Sequence, residues 1–120
     1  MNSSRTHYKD RHDFLKSLED NPGMIFIKFG AEWCGPCKLI ENYVHERFSN
    51  MPPNVETVVI DVDENFDVYA YLKNKKIVKT IPSILCYQKG NTHFAPDDVI
   101  SDSNEDNVKQ FLDHCLENLD

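Results

Sequence analysis

Two cysteines three positions apart, separated by glycine and proline, sit where an apolar run gives way to an amphipathic one. The run Met24-Ile25-Phe26-Ile27-Lys28-Phe29 is nearly all apolar and rich in β-prone residues. It suits a strand covered on both faces, with Lys28 the conspicuous exception. From Pro36 to Ser49, Leu39, Ile40, Tyr43, Val44 and Phe48 recur at helical spacing, and Pro36 fits a first turn. Ala31-Glu32-Trp33-Cys34-Gly35-Pro36-Cys37-Lys38 is thus a strand-to-helix turn with two thiols at its helical end.

The flanking sequence extends the pattern. Asp10 to Asp20 carries Phe14, Leu15 and Leu18 at helical spacing with Asp10 placed as a cap, and Asn21-Pro22-Gly23 stops it. A strand is predicted over Val55 to Val62 and a helix from Glu64 to about Lys73, presenting Phe66, Tyr69, Ala70 and Leu72. After Pro82, Ser83 to Tyr87 reads as a strand, with Gln88-Lys89-Gly90-Asn91 turning into a weak partner around Thr92 to Ala95. Val108, Phe111, Leu112, Cys115, Leu116 and Leu119 form one apolar helical face, with Ser103 and Asp106 as a start signal. A short strand near Arg5 to Tyr8 would make the sheet four- or five-stranded. The expectation is one α/β domain over residues 1–120, with helices on both faces of a mixed sheet.

Composition removes several classes of function. Thirteen Lys+Arg against twenty Asp+Glu leave a formal charge of −7, which opposes a general nucleic-acid surface. No apolar run approaches the ~18 residues of a spanning helix, so no membrane role is expected. Met1 to Asp13 is polar and lacks the apolar stretch of a secretory signal, which points to the cytoplasm. In a reducing compartment a close cysteine pair is catalytic or metal-binding more often than structural.

Position gives the pair its chemistry. At a helix N-terminus, unpaired backbone N–H groups and the positive end of the dipole favour thiolate over thiol. Cys34 stands there and is the expected nucleophile; Cys37, one turn further in and more enclosed, is the expected resolving thiol. Gly35 permits a close turn, Pro36 presets helix entry, and Trp33 offers a flat apolar face beside the sulfur. A zinc site would want two further ligands at workable spacing, and neither Cys86 nor Cys115 forms a second close pair, so no metal is predicted. Cys86 and Cys115 read as small core residues, with a regulatory disulfide the other reading. The histidines at positions 7, 12, 45, 93 and 114 form no motif and are expected at the surface.

The run Trp33-Cys34-Gly35-Pro36-Cys37-Lys38, with Phe29, Ala31 and Glu32 before it, resembles the thioredoxin active site. The resemblance continues through Val58 to Asp63, Ile81-Pro82-Ser83, Lys89-Gly90 and the last helix at Phe111 and Leu112, spanning about residues 5 to 119. It implies the thioredoxin fold, with Pro82 in a cis bond and Trp33, Ile81 and Pro82 lining a substrate groove. It also implies a thiol–disulfide oxidoreductase that reduces protein disulfides, needs no bound cofactor and is recycled by a thioredoxin reductase; a monomer is a separate expectation. The alternative reading is a thioredoxin-fold interaction module in which redox activity is secondary.

Three departures from the family stand out. Lys28 occupies the place of a buried aspartate that assists proton transfer at the resolving thiol, and Val59 the place of its partner lysine. Kept charged, Lys28 would favour the Cys37 thiolate; neutral, it would accept the proton; the bland reading is that it reaches the surface or pairs with a carboxylate. Gly30 stands where many members have tryptophan, which opens the space beside the cysteines. The groove glycine is missing from Asn91 to Asn107, a stretch that holds Asp97, Asp98, Asp102, Glu105 and Asp106 without Lys or Arg. That stretch is either a solvated acidic loop or a determinant of partner choice.

Overall fold

In the computed structural model, which describes residues 3–119, eight elements follow in the order α1 (Arg11–Glu19), β1 (Met24–Gly30), α2 (Gly35–Ser49), β2 (Val55–Asp61), α3 (Phe66–Asn74), β3 (Ser83–Gln88), β4 (Asp98–Ile100) and α4 (Glu105–Leu116). The sheet has four strands in the order β2-β1-β3-β4. β1 lies parallel to β2 and antiparallel to β3, and β4 closes the edge antiparallel to β3. The mixed sheet is as expected. The segment near Arg5 contributes only a single parallel bridge to Val58, so it adds no fifth strand.

Period-two alternation divides the core between two helical layers. Ile25, Ile27 and Phe29 of β1 face one cluster with Phe14 and Leu18 of α1 and Val68 and Leu72 of α3. Met24 and Phe26 face the other, with Ile40, Val44 and Phe48 of α2 and Val108, Phe111 and Leu112 of α4. Both faces of β1 are covered, which is why its sequence is apolar without alternation. Lys28 falls in step with Met24 and Phe26, on the α2 side.

Local chemistry sets the element ends. Asp10 caps α1 by accepting from the Asp13 N–H at 3.0 Å. Asp10→Ala is expected to lower stability by about 1 kcal/mol, read as a lower urea midpoint at unchanged slope. Gly23 brings the chain so close to Asn54 that a Cβ there would lie 2.7 Å from the Asn54 carbonyl oxygen. Gly90, at φ 96°, makes the turn after β3.

Four sequence expectations need correction. α3 starts at Phe66 rather than Glu64, because a turn on Asp61 precedes it and the Asn65 side chain is engaged with the Tyr8 N–H at 2.9 Å. Leu39 and Phe66 are both 69% exposed, so neither belongs to a core face. The strand partnering β3 is Asp98–Ile100, not Thr92 to Ala95. The Tyr87 hydroxyl donates to the Phe94 carbonyl at 2.6 Å, which ties that segment into a loop, and the ladder begins with Asp97 N–H donating to Cys86 O. The cap of α4 is Asn104, accepting from Asn107 N–H at 3.0 Å, rather than Ser103.

Candidate active site

β1 delivers the chain through Ala31 and Trp33 to the start of α2, where Cys34 is the N-cap residue. Its sulfur accepts from the Cys37 N–H at 3.2 Å. Cys34 and Cys37 are joined by a disulfide, with Cα atoms 5.3 Å apart. Both are 4% exposed, so Cys37 is not the more enclosed of the two and exposure does not separate them. Pro36 lies in the first turn, as its fixed φ and missing donor suit. A Cβ on Gly35 would meet nothing within 4 Å, so neither space nor backbone conformation requires glycine there.

A second segment completes the site. The Ile81–Pro82 bond is cis, and the Ile81 carbonyl oxygen lies 3.9 Å from Cys34 Sγ. Trp33 is 69% exposed, held by its Nε1–H donating to Asp63 at 2.8 Å. The predicted residues Trp33, Cys34, Ile81 and Pro82 are therefore brought together by elements far apart in sequence.

Lys28 approaches the pair from the α2 side. The residue as a whole is 6% exposed, and it forms no ion pair or side-chain hydrogen bond among the described residues; its ammonium keeps a little solvent contact where the side chain lines an open cavity. It lines a cavity of about 190 Å³ with Gly30, Cys37, Glu41, Val59 and Asp61. Burial pushes the Lys28 pKa down, partly opposed by the Glu41 carboxylate and reinforced by the Lys38 ammonium. A Cβ on Gly30 would lie 3.5 Å from Cys37 Sγ, so the bare glycine leaves this side of the pair open.

The remaining cysteines lie elsewhere and are not disulfide-bonded. Cys86 on β3 and Cys115 on α4 are both buried, as expected, but the fold makes them neighbours. The hydrogen bond with Cys115, together with burial, pushes the Cys86 thiol well up, which keeps it protonated. Sequence separation concealed this contact. All five histidines are exposed. The acidic stretch is largely engaged in local bonding: Asp97 accepts from Gln88 N–H at 2.7 Å and Asp102 from Asn104 N–H at 2.8 Å. Glu105 and Asp106 occupy the first turn of α4, where the helix dipole favours negative charge. Among the described residues, no group of three metal-ligating side chains is placed to hold an ion, and no helix is long and apolar enough to cross a membrane.

A disulfide-forming pair at a helix N-terminus, with its first sulfur facing the carbonyl of the residue before a cis-proline, beside a mixed sheet, defines a thiol–disulfide oxidoreductase. The sequence profile described as thioredoxin matches residues 5–114, and the chain belongs to the thioredoxin family. It is similar to thioredoxin-1 of Saccharomyces cerevisiae, 32% identical over 85 residues, 71% of this chain and 77% of that protein. Thioredoxin of Bacillus subtilis is 36% identical over 74 residues, 62% of this chain and 67% of its own. The solved thioredoxin of Fasciola hepatica superposes with a TM-score of 0.71 at 26% identity, over 92% of this chain and 97% of that one. Plasmodium falciparum thioredoxin, at 23% identity, a TM-score of 0.72 and the same two coverages, shares the fold. The protein is a thioredoxin disulfide oxidoreductase with a Cys34–Cys37 redox pair.

Proposed function

We propose that the chain reduces protein disulfides, with Cys34 as nucleophile and Cys37 as resolving thiol. The observation that carries this is the N-cap position of Cys34. Its sulfur receives the Cys37 N–H and faces the positive end of a 15-residue helix, and both favour negative charge on it. The Cys34 thiolate attacks one sulfur of the substrate disulfide; that S–S bond breaks, the first substrate thiolate leaves, and a mixed disulfide forms. Cys37 loses its proton and attacks the Cys34 sulfur. The second substrate thiolate departs, Cys34 and Cys37 are left oxidised, and two electrons have passed to the substrate.

Trp33 and the Ile81–Pro82 segment form the substrate groove in this reading, supported by the exposed indole and the 3.9 Å approach of the Ile81 carbonyl. Lys28, in its neutral form, accepts the Cys37 proton; its burial in the Cys37 cavity and its lowered pKa support that role. Family membership supports disulfide-bearing proteins as substrates and a thioredoxin reductase for recycling. We place the reaction in the cytoplasm, where reductants restore the dithiol.

The reduction potential of the Cys34–Cys37 pair tests the direction of electron flow. A value near −270 mV, roughly that of reductases of this kind, is expected together with dithiothreitol-driven reduction of insulin. A value near about −120 mV would make the chain an oxidant instead.

A further inference from the structure

In a chain of net charge −7, four lysines fall close together at the end of α3: Lys73, Lys75, Lys76 and Lys79. All four are exposed, and none is paired with a carboxylate among the described residues. Lys75 lies over the Tyr71 and Phe94 rings, at 5.7 and 5.1 Å, and Lys73 over Tyr69 at 5.5 Å. Lys76 and Lys79 have no such neighbour. They stand on the rim of a trough of about 320 Å³ whose apolar lining includes Ile77, Pro96 and Val99. Val99, on the edge strand β4, is 43% exposed, and no carboxylate lines the trough.

Two features tie this trough to the segment that faces the redox pair. Lys76 adopts φ 63°, a left-handed turn that returns the Ile77 and Val78 N–H groups to the Leu72 carbonyl and closes α3. The chain then runs from Lys79 through Thr80 directly into Ile81, whose carbonyl faces Cys34. At the far side, Ser101 of the trough shares a hydrogen bond of 2.7 Å with Ser83, the residue after Pro82. Lys79 and Ser101 of the trough thus connect, through the chain and through one hydrogen bond, to the Ile81–Pro82–Ser83 segment.

We propose that this trough holds an acidic segment of the substrate protein next to the disulfide that Cys34 attacks. The inference rests on the reductase reading and adds the substrate class. Unpaired ammonium groups over an apolar floor attract carboxylates while the floor takes their methylene stems, and the same charges steer encounter against the repulsion of an otherwise acidic surface.

The test uses two disulfide-linked peptide dimers, identical except that aspartates flank the cysteine in one and asparagines in the other. Wild-type protein is expected to reduce the aspartate dimer with a kcat/KM about tenfold higher at low ionic strength, the advantage vanishing as salt rises. Lys76→Glu/Lys79→Glu is expected to reverse the preference. Lys16→Glu/Lys89→Glu, which changes net charge equally at residues outside the trough, is expected to retain it. Equal rates for the two dimers, or a preference that survives Lys76→Glu/Lys79→Glu, would overturn the proposal. Failure of the wild type to reduce either dimer would overturn the reductase reading itself, and this inference with it.

Discussion

Cys34→Ser is expected to lose disulfide reduction by roughly a thousandfold or more, and Cys37→Ser to fail at a different step. Serine at 34 removes the sulfur that forms the mixed disulfide, so no covalent adduct appears on a non-reducing gel. Serine at 37 leaves that sulfur in place at the helix cap, where the backbone N–H of residue 37 still reaches it. Attack proceeds, but nothing displaces the substrate, and a stoichiometric adduct accumulates. Mass spectrometry identifies it by the added mass of the substrate. Because the two cysteines are equally buried, accessibility does not decide between them. The adduct forming with Cys34→Ser rather than Cys37→Ser would reverse the assignment.

Lys28→Met is expected to stabilise the protein by about 1 kcal/mol at neutral pH, solvent contact of the ammonium limiting the gain, while altering the pH profile of disulfide reduction. Methionine is similar in length, suits the Met24 and Phe26 face, and removes an ammonium on a mostly buried side chain that forms no ion pair among the described residues. The sign follows from the depressed pKa of Lys28. Between the lowered folded value and the ordinary 10.5, the unfolded chain binds the proton that the folded chain releases, so the wild type gains stability as pH rises through that window. The advantage of Lys28→Met is therefore largest below the folded pKa and shrinks toward pH 10.5, which urea titrations across pH read directly. The kinetic arm separates function from structure. If the resolving step shows the same pH dependence in Lys28→Met and wild type, Lys28 is a buried charge with no part in the proton transfer. A single-turnover measurement of mixed-disulfide decay isolates that step.

The active-site turn was legible in the sequence because its determinants are local. The β-prone run from Met24 to Phe29, Pro36 at helix entry and a cysteine at the cap position act within a few residues of one another. Helix faces that repeat every three or four residues were legible for the same reason, as at Val108, Phe111, Leu112 and Cys115. Boundaries were less so. Asn65 has the chemistry of a cap, but the fold draws its side chain to the Tyr8 backbone, and β4 begins late because Tyr87 anchors Phe94. Phe66 has the right spacing for a core face and lies outside it, since periodicity states which residues share a face and not whether a neighbour covers it.

The sequence by itself determined the class of chemistry: two thiols at a helix start, with no other pattern for them to serve. It also marked Lys28 as an anomaly by interrupting an apolar strand. Only the tertiary structure decided that Lys28 lies mostly buried in a cavity it shares with Cys37. The same is true of the Ile81 carbonyl near Cys34, the contact between Cys86 and Cys115, and the lysine-rimmed trough tied to Ser83 through Ser101. Each of these joins residues from different elements. Their proximity follows from how sheet and helices pack to bury both faces of β1, a sum of many weak apolar contacts that no short stretch of chain encodes.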